Sequence, residues 1–442
     1  MDADLIIIGG GPAGYFAAET AAKEGLSVIL FEENQLGGVC LNEGCIPTKS
    51  LLNSAKIFSV SKNSEKFGVS ANPSFNIIEA NKWKDETVIK LRKSLELLMK
   101  HNHINLIKKN AKIIGPNTVK TDEEIYKAEN ILLATGSSFV VPKIPGIENA
   151  ITSKEVLSLQ SIPSSVIIIG GGVIGIELAS FFSCLNVEVT VVEMLPEIVP
   201  LMDAEMASIL RRSMSSVNFL LSSKVEKIEK DTVYLVQDKK ELKIKADLII
   251  VATGRRPLID NESFFSIGLD FSEKGVRTDE RMKTNIPGLY AAGDITGRFM
   301  LAHAAYRMGQ VAVNNICNKK DIMREFALPW VIYSLPEAAG VGLTEEELKK
   351  REIPYKKSVV PMRANGRFLA EHGEQPGACK ILVYEKTGIL AGVHMVGSYA
   401  SEIISSATVM IECELRDREI KEIIFPHPTV SEIIKDSILG LK

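Results

Sequence analysis

The chain reads as an α/β protein of two parallel-sheet lobes followed by an α+β portion, on three observations. An apolar run, a glycine-rich turn and a helical stretch occur at 5–23 and start again at 166–175. Each is closed much later by a second apolar run ending in Thr-Gly, at Thr135-Gly136 and at Thr253-Gly254. From Pro329 onward the glycine pattern gives way to apolar strands and helices without it, the texture of an α+β domain. At 442 residues the chain exceeds one ordinary core, and roughly 150 residues per domain sets the expectation at about three.

Leu5-Ile6-Ile7-Ile8 is of buried-strand type and leads into Gly9-Gly10-Gly11-Pro12-Ala13-Gly14 and an alanine-rich helix through Lys23. Glycines 9, 11 and 14 match the dinucleotide fingerprint, in which they permit the tight turn, the approach of a pyrophosphate and close helix–strand packing. A strand at 28–31 then ends at Glu32, 18 positions after Gly14, where a carboxylate hydrogen-bonds a ribose. The run 131–134 closes this lobe at Thr135-Gly136.

Val166-Ile167-Ile168-Ile169 repeats the opening, with Gly170, Gly172 and Gly175 in the turn, a strand at 187–192, and Glu193 again 18 positions after the last glycine. A lone glycine triplet is weak; a duplicated set of strand, acid and terminal Thr-Gly is not produced by chance. Two Rossmann-like dinucleotide-binding domains and two nucleotides are therefore expected. Between the motifs, 83–100 has the period of an amphipathic helix, best explained by packing, and short strands fall at 104–107 and 112–114. A strand at 288–292 ends in Gly293-Asp294 before a helix at 301–317. The last portion alternates strands at 380–384 and 389–396 with helices at 344–351 and 400–413.

Chemistry is expected at 37–49, where Cys40 and Cys45 have four residues between them. The surrounding glycines let the chain curl until the two Cα atoms reach the roughly 5.5–6 Å of a disulfide. A helix at 46–57 would open beside Cys45, and unsatisfied N–H groups at a helix start favour a thiolate. The same residues also read as two unrelated buried thiols or half of a metal site. Zinc needs two further ligands, which neither a second cysteine pair nor a histidine pair supplies, so no metal is expected.

The other cysteines, Cys184, Cys317, Cys379 and Cys413, are scattered singly, unlike a secreted disulfide framework. A net charge of −3, from 52 basic and 55 acidic residues, asks for neither nucleic acid nor an anionic membrane. No apolar run reaches the roughly 18 residues of a membrane span. The start, Met1-Asp2-Ala3-Asp4, lacks the basic region of a signal peptide, so a cytoplasmic location is expected. Near the other end, Pro426 and Pro428 fix the backbone about His427, and Glu432 can orient its ring. The bland alternative is a Thr or Ser helix cap with an incidental histidine.

The stretch Gly-Gly-Val-Cys-Leu-Asn-Glu-Gly-Cys-Ile-Pro-Thr-Lys, the doubled fingerprint, Ala-Ala-Gly-Asp at 291–294 and His-Pro-Thr-Val-Ser-Glu at 427–432 together resemble the pyridine nucleotide-disulfide oxidoreductases over essentially the whole chain. Within that family the sequence looks most like the flavoproteins that oxidise dihydrolipoamide for 2-oxo acid dehydrogenase and glycine cleavage complexes. The resemblance implies an FAD-binding domain in two parts, 1–145 and 263–322, an NAD-binding domain at 146–262 and a dimerisation domain at 323–442.

It further implies FAD held by Gly9, Gly11, Pro12, Ala13, Gly14, Glu32, Lys49, Ala111, Ala134, Thr135, Gly136, Asp294 and Ala302. NAD is implied near Gly170, Gly172, Val173, Ile174, Gly175, Glu177, Glu193, Val225 and Gly254. Glu193 also counts on its own chemistry, since a carboxylate accepts from ribose hydroxyls and repels a 2′-phosphate, which disfavours NADP. Val173 stands where relatives often carry an aromatic gate over the flavin.

By the same resemblance the protein is a homodimer whose partners are dihydrolipoamide or a lipoylated carrier protein, and His427 and Glu432 serve the site of the partner subunit. A substrate thiolate, deprotonated by His427, would attack a Cys40–Cys45 disulfide at Cys40 and release Cys45 as the thiolate that faces the flavin. Lys49, paired with Glu177, would stabilise the reduced ring. The rival within the family is an NADH-dependent metal-ion or other disulfide reductase. Mercuric reductases typically end in a cysteine pair, where this chain has Leu439-Gly440-Leu441-Lys442, and glutathione reductases usually carry arginines around the place of Glu193. A non-catalytic flavin- and NAD-binding subunit is the remaining class, and retention of both cysteines and the His-Glu pair argues against it.

Overall fold

Leu5, Ile6 and Ile7 are fully buried, because the strand Ala3–Ile8 is flanked on both edges by parallel neighbours, Val28–Phe31 and Ile125–Leu133. A strand buried on both faces has no polar side, which is why it reads as an unbroken apolar run. In the computed structural model, which describes residues 1–441, this sheet runs Asn105–Ile107, Val28–Phe31, Ala3–Ile8, Ile125–Leu133, Thr118–Lys120, Lys112–Gly115, with Leu289–Ala291 also pairing in parallel with Ile125–Leu133. It belongs to a unit made of Met1–Leu51, Ile78–Val140 and Gly254–Arg324.

The helix Pro12–Lys23 buries Ala13, Gly14, Ala17, Ala18 and Ala21, the one-sided spacing of a helix face. The helix Ala302–Ile316 comes so near that a Cβ on Gly309 would lie 2.6 Å from the Ala13 carbonyl oxygen. Helix 83–100 begins earlier than its sequence period indicates, spanning Ile77–His101, and the stretch after Cys45 is helical through Lys62.

The second unit consists of Leu52–Ile77, Val141–Thr253 and Glu325–Lys442. Its parallel sheet runs Val217–Leu220, Glu188–Val192, Ser165–Ile169, Leu248–Val251, Ile151–Thr152. An antiparallel meander, Ser223–Glu229, Thr232–Gln237 and Lys240–Lys245, was not anticipated from sequence. The final portion is a five-stranded antiparallel sheet, Trp330–Ile332, Ala338–Gly342, Leu390–Val396, Ala378–Tyr384, Tyr355–Pro361, packed by the helices Ala400–Glu412 and Glu432–Leu439. The expected α/β lobes and α+β domain are thus both present. Among the described residues no helix is long and apolar enough to cross a membrane.

One buried ion cluster lies inside this second unit. Lys380, wholly buried, places Nζ 3.0 Å from Asp203, 3.0 Å from Glu205 and 2.5 Å from Glu345. Burial pushes the carboxyls of Asp203 and Glu345 upward, but the charges and hydrogen bonds around them, Lys380 among them, outweigh it and hold both below the ordinary range. Lys380→Met is expected to cost about 3–5 kcal/mol, because it strands buried carboxylates without their cation. Acids held low stabilise the fold above their unfolded pKa and lose that contribution as the pH falls through the folded one. The deficit, read from urea unfolding, should therefore shrink below about pH 4.

Candidate active site

The two glycine turns are built alike. Gly9 has φ +106, and a Cβ there would lie 2.3 Å from the Ala134 carbonyl oxygen; one on Gly14 would meet the Gly9 carbonyl oxygen at 1.8 Å. Only glycine fits either place. Around Gly11, by contrast, a Cβ would meet nothing nearer than 3.9 Å, so the middle glycine is the open one. The counterparts behave the same way, with a Cβ at Gly170 and Gly175 blocked at 2.5 and 2.0 Å and nothing within 4 Å of one at Gly172.

The helices Pro12–Lys23 and Val173–Cys184 both start without a side-chain cap, so their first N–H groups are left for an anion. Glu32 accepts from the Gly10 N–H at 2.7 Å and the Asn34 N–H at 2.8 Å; Glu193 accepts from Gly171 at 2.6 Å and Leu195 at 2.8 Å. Each acid is thus pinned beside its own glycine turn. These features fit two dinucleotides.

The remaining expected positions fall as follows. In the first unit, Gly136 accepts from the Leu258 N–H at 3.0 Å and leaves open space at its own Cβ position, and Thr135 reaches the Leu258 carbonyl at 3.5 Å. Ala111 packs on the core of that unit, and Ala302 opens its helix. Asp294 stands in the turn Gly293–Thr296 and accepts from the Ser137 hydroxyl at 2.5 Å. In the second unit, Val173 and Ile174 form the first helical turn, Val225 is buried in the meander, and Glu177, buried, accepts from the Tyr333 N–H at 3.0 Å. Gly254, in the first unit, has φ +101 with nothing within 4 Å of its Cβ position.

Cys40 lies in the helix Gly38–Glu43, which no sequence signal marked; Gly37 at its N-cap and Gly38 in its first turn both have positive φ, 102 and 57. Asn42 Nδ2 donates to the Gly38 and Leu36 carbonyls at 2.9 and 3.2 Å and fastens this segment. Gly44 ends it, and Cys45 opens the helix Cys45–Lys62, as the thiolate argument requires. The two thiols are hydrogen-bonded to each other. That bond and then burial push the Cys40 thiol well above the usual range, while the Lys49 charge pulls the other way.

Beside them sits a pair no sequence signal indicated: the hydroxyls of Tyr15 and Tyr306 are 2.5 Å apart with their rings edge to face. Burial raises both phenols, and the two sulfurs add to the rise.

In the second unit His427 is 82% exposed, and its Nδ1 is 3.0 Å from Glu432 Oε1. The other Glu432 oxygen accepts from the Thr429 N–H at 2.8 Å. That backbone bond, then His427, holds the Glu432 carboxyl below its ordinary range. Ser431, at the N-cap of the last helix, makes no side-chain capping bond.

Residues 3–309 match the pyridine nucleotide-disulphide oxidoreductase family, and residues 328–438 match its dimerisation domain. The chain belongs to that family. Members use FAD and NAD(H), and the dimerisation domain supports a homodimer. The chain is 36% identical to the dihydrolipoyl dehydrogenase of Thermus scotoductus and 35% identical to that of Bacillus subtilis, in each case over 99% of its own length and 97% and 98% of theirs. Among solved structures it is similar to the HOCl-induced flavoprotein disulfide reductase RclA from Escherichia coli, with a TM-score of 0.88 and 26% identity over 99% of this chain and 100% of that one. The family and fold expected from the motifs are those found.

Proposed function

We propose that the chain oxidises dihydrolipoamide, free or on a lipoylated carrier protein, to lipoamide with NAD as final acceptor. The observation that carries the reading is the hydrogen-bonded Cys40–Cys45 couple at a helix start, in a lobe whose glycine turn, open helix N-terminus and pinned acid fit FAD. Full-length likeness to dihydrolipoyl dehydrogenases supports the substrate class.

In this reading Glu432 engages His427 Nδ1, which leaves Nε2 of the neutral ring to take the proton of a substrate thiol. The resulting thiolate attacks Cys40 in the oxidised couple, forming a mixed disulfide and releasing Cys45 as a thiolate. The second substrate thiol then displaces Cys40, so that lipoamide leaves and both cysteines stand reduced. The bound flavin supplies transfer of that electron pair to NAD. Lys49, one turn into the helix that Cys45 opens, adds positive charge beside the couple, and we assign it to the flavin side. His427 and Glu432 act from the partner subunit of the homodimer.

The likeness to RclA favours a second reading, an NADH-dependent reductase of disulfides or metal ions; that protein is also solved as a Cu(II) complex. Steady NAD reduction with dihydrolipoamide supports the first reading. Its absence, together with brisk NADH oxidation by Cu(II), supports the second. For the nucleotide itself, Glu193→Arg is expected to shift preference from NAD toward NADP by about 10- to 100-fold in kcat/KM, since a carboxylate facing a phosphate becomes a cation. An unchanged preference would mean the ribose is read elsewhere.

A further inference from the structure

Ser137 and Arg255 occupy the same place in the internal repeat, each following a Thr-Gly pair, and in the first unit they meet. The segments Ser137–Phe139 and Arg255–Pro257 form an antiparallel ladder in which Phe139 opposes Arg255 and Ser137 opposes Pro257. The guanidinium turns back along it. Its Nε donates to Ser137 Oγ at 2.8 Å and Nη2 to the Ser137 carbonyl at 2.6 Å, while the group lies 4.6 Å from the Phe139 ring centroid.

Ser137 is buried, and with a cation donating to its oxygen its own proton goes to Asp294 Oδ2, 2.5 Å away. The chain of bonds from guanidinium through hydroxyl to carboxylate is polarised in one direction, which strengthens each link. The planar fork, held by two bonds and a ring face, fixes the geometry more tightly than a lysine would.

We propose that Arg255 is a positioning residue for FAD: acting through Ser137, it holds Asp294 as an aimed carboxylate that accepts hydrogen bonds from the hydroxyls of the cofactor. This rests on the reading that FAD occupies the first lobe beside Asp294. Burial pushes the Asp294 carboxyl upward, and Ser137 and then Arg255 pull it down. Arg255 itself faces Asp294, Glu43 and Cys45. Without the guanidinium, Asp294 should take up a proton at a pH where the native carboxylate is ionised.

The test is FAD retention, read as flavin released on ultrafiltration between pH 6 and 9. Arg255→Met is expected to weaken FAD binding about tenfold or more at pH 6 and to recover most of the loss by pH 8.5, the scale of one lost charge-assisted bond. Arg255→Lys should restore most of the affinity at pH 6. Ser137→Ala, which breaks the relay without changing charge or ring packing, should weaken binding several-fold and serves equally should the methionine variant not fold. Affinity unchanged at every pH in these variants, or lowered by a factor independent of pH, would overturn the proposal. A wild-type protein that binds no FAD would instead overturn the cofactor assignment on which the proposal rests.

Discussion

His427→Gln is expected to lower dihydrolipoamide turnover by about 10²–10⁴, the range for a lost acid–base catalyst, while FAD stays bound. Glutamine fills a similar space and can still bond Glu432, but it offers no nitrogen lone pair to a thiol proton. In the native protein Glu432 is kept ionised by the Thr429 N–H and by His427, so it orients the ring through Nδ1. Only the neutral ring can act as base. Near-normal rates in His427→Gln would remove the residue from the mechanism.

Cys45→Ser should remove disulfide-linked turnover, by at least about 10³, and Cys40→Ser should do the same, because an alcohol can neither form nor break the exchanged S–S bond. Both variants should still bind FAD, since neither side chain helps to shape the Gly9–Gly14 turn. Cys184→Ser is the control. That thiol is half-buried, raised by its burial, and bonded to Ser180 and Ser59. Its replacement should leave turnover within about twofold, as for a substitution away from the chemistry. Retained dihydrolipoamide oxidation in either serine variant at 40 or 45 would contradict the exchange mechanism.

The nucleotide lobes were legible because each part of them is local. Ile6 and Ile167 are buried on both sheet faces, so their strands show as apolar runs, and Gly9, Gly14, Gly170 and Gly175 stand where any side chain would strike backbone. Glu32 and Glu193 lie at one fixed distance beyond. His427 and Glu432 are close in sequence, and the prolines mark them.

What escaped notice has other causes. The meander buries Val225, Ile228, Val233 and Leu235 but interleaves them with lysines and glutamates, and its last strand is mostly exposed, so the alternation is diluted. The helical turn at 38–43 was masked by glycines whose positive φ serves its entry. Tyr15 and Tyr306 are 291 positions apart, and Ser137 and Asp294 157 apart. Pairs brought together only by the packing of distant elements leave no periodic trace, although the matched places of Ser137 and Arg255 in the repeat offered one faint sign.

The most direct test of the account is to alkylate the protein with iodoacetamide before and after one equivalent of anaerobic dihydrolipoamide and to map the 37–49 peptide by mass spectrometry. The account predicts that oxidised protein carries the two cysteines as an unlabelled disulfide, that dihydrolipoamide makes both available to the label, and that NAD then returns them to the unlabelled form. NAD reduced by dihydrolipoamide while Cys40 and Cys45 keep the same labelling throughout would contradict it.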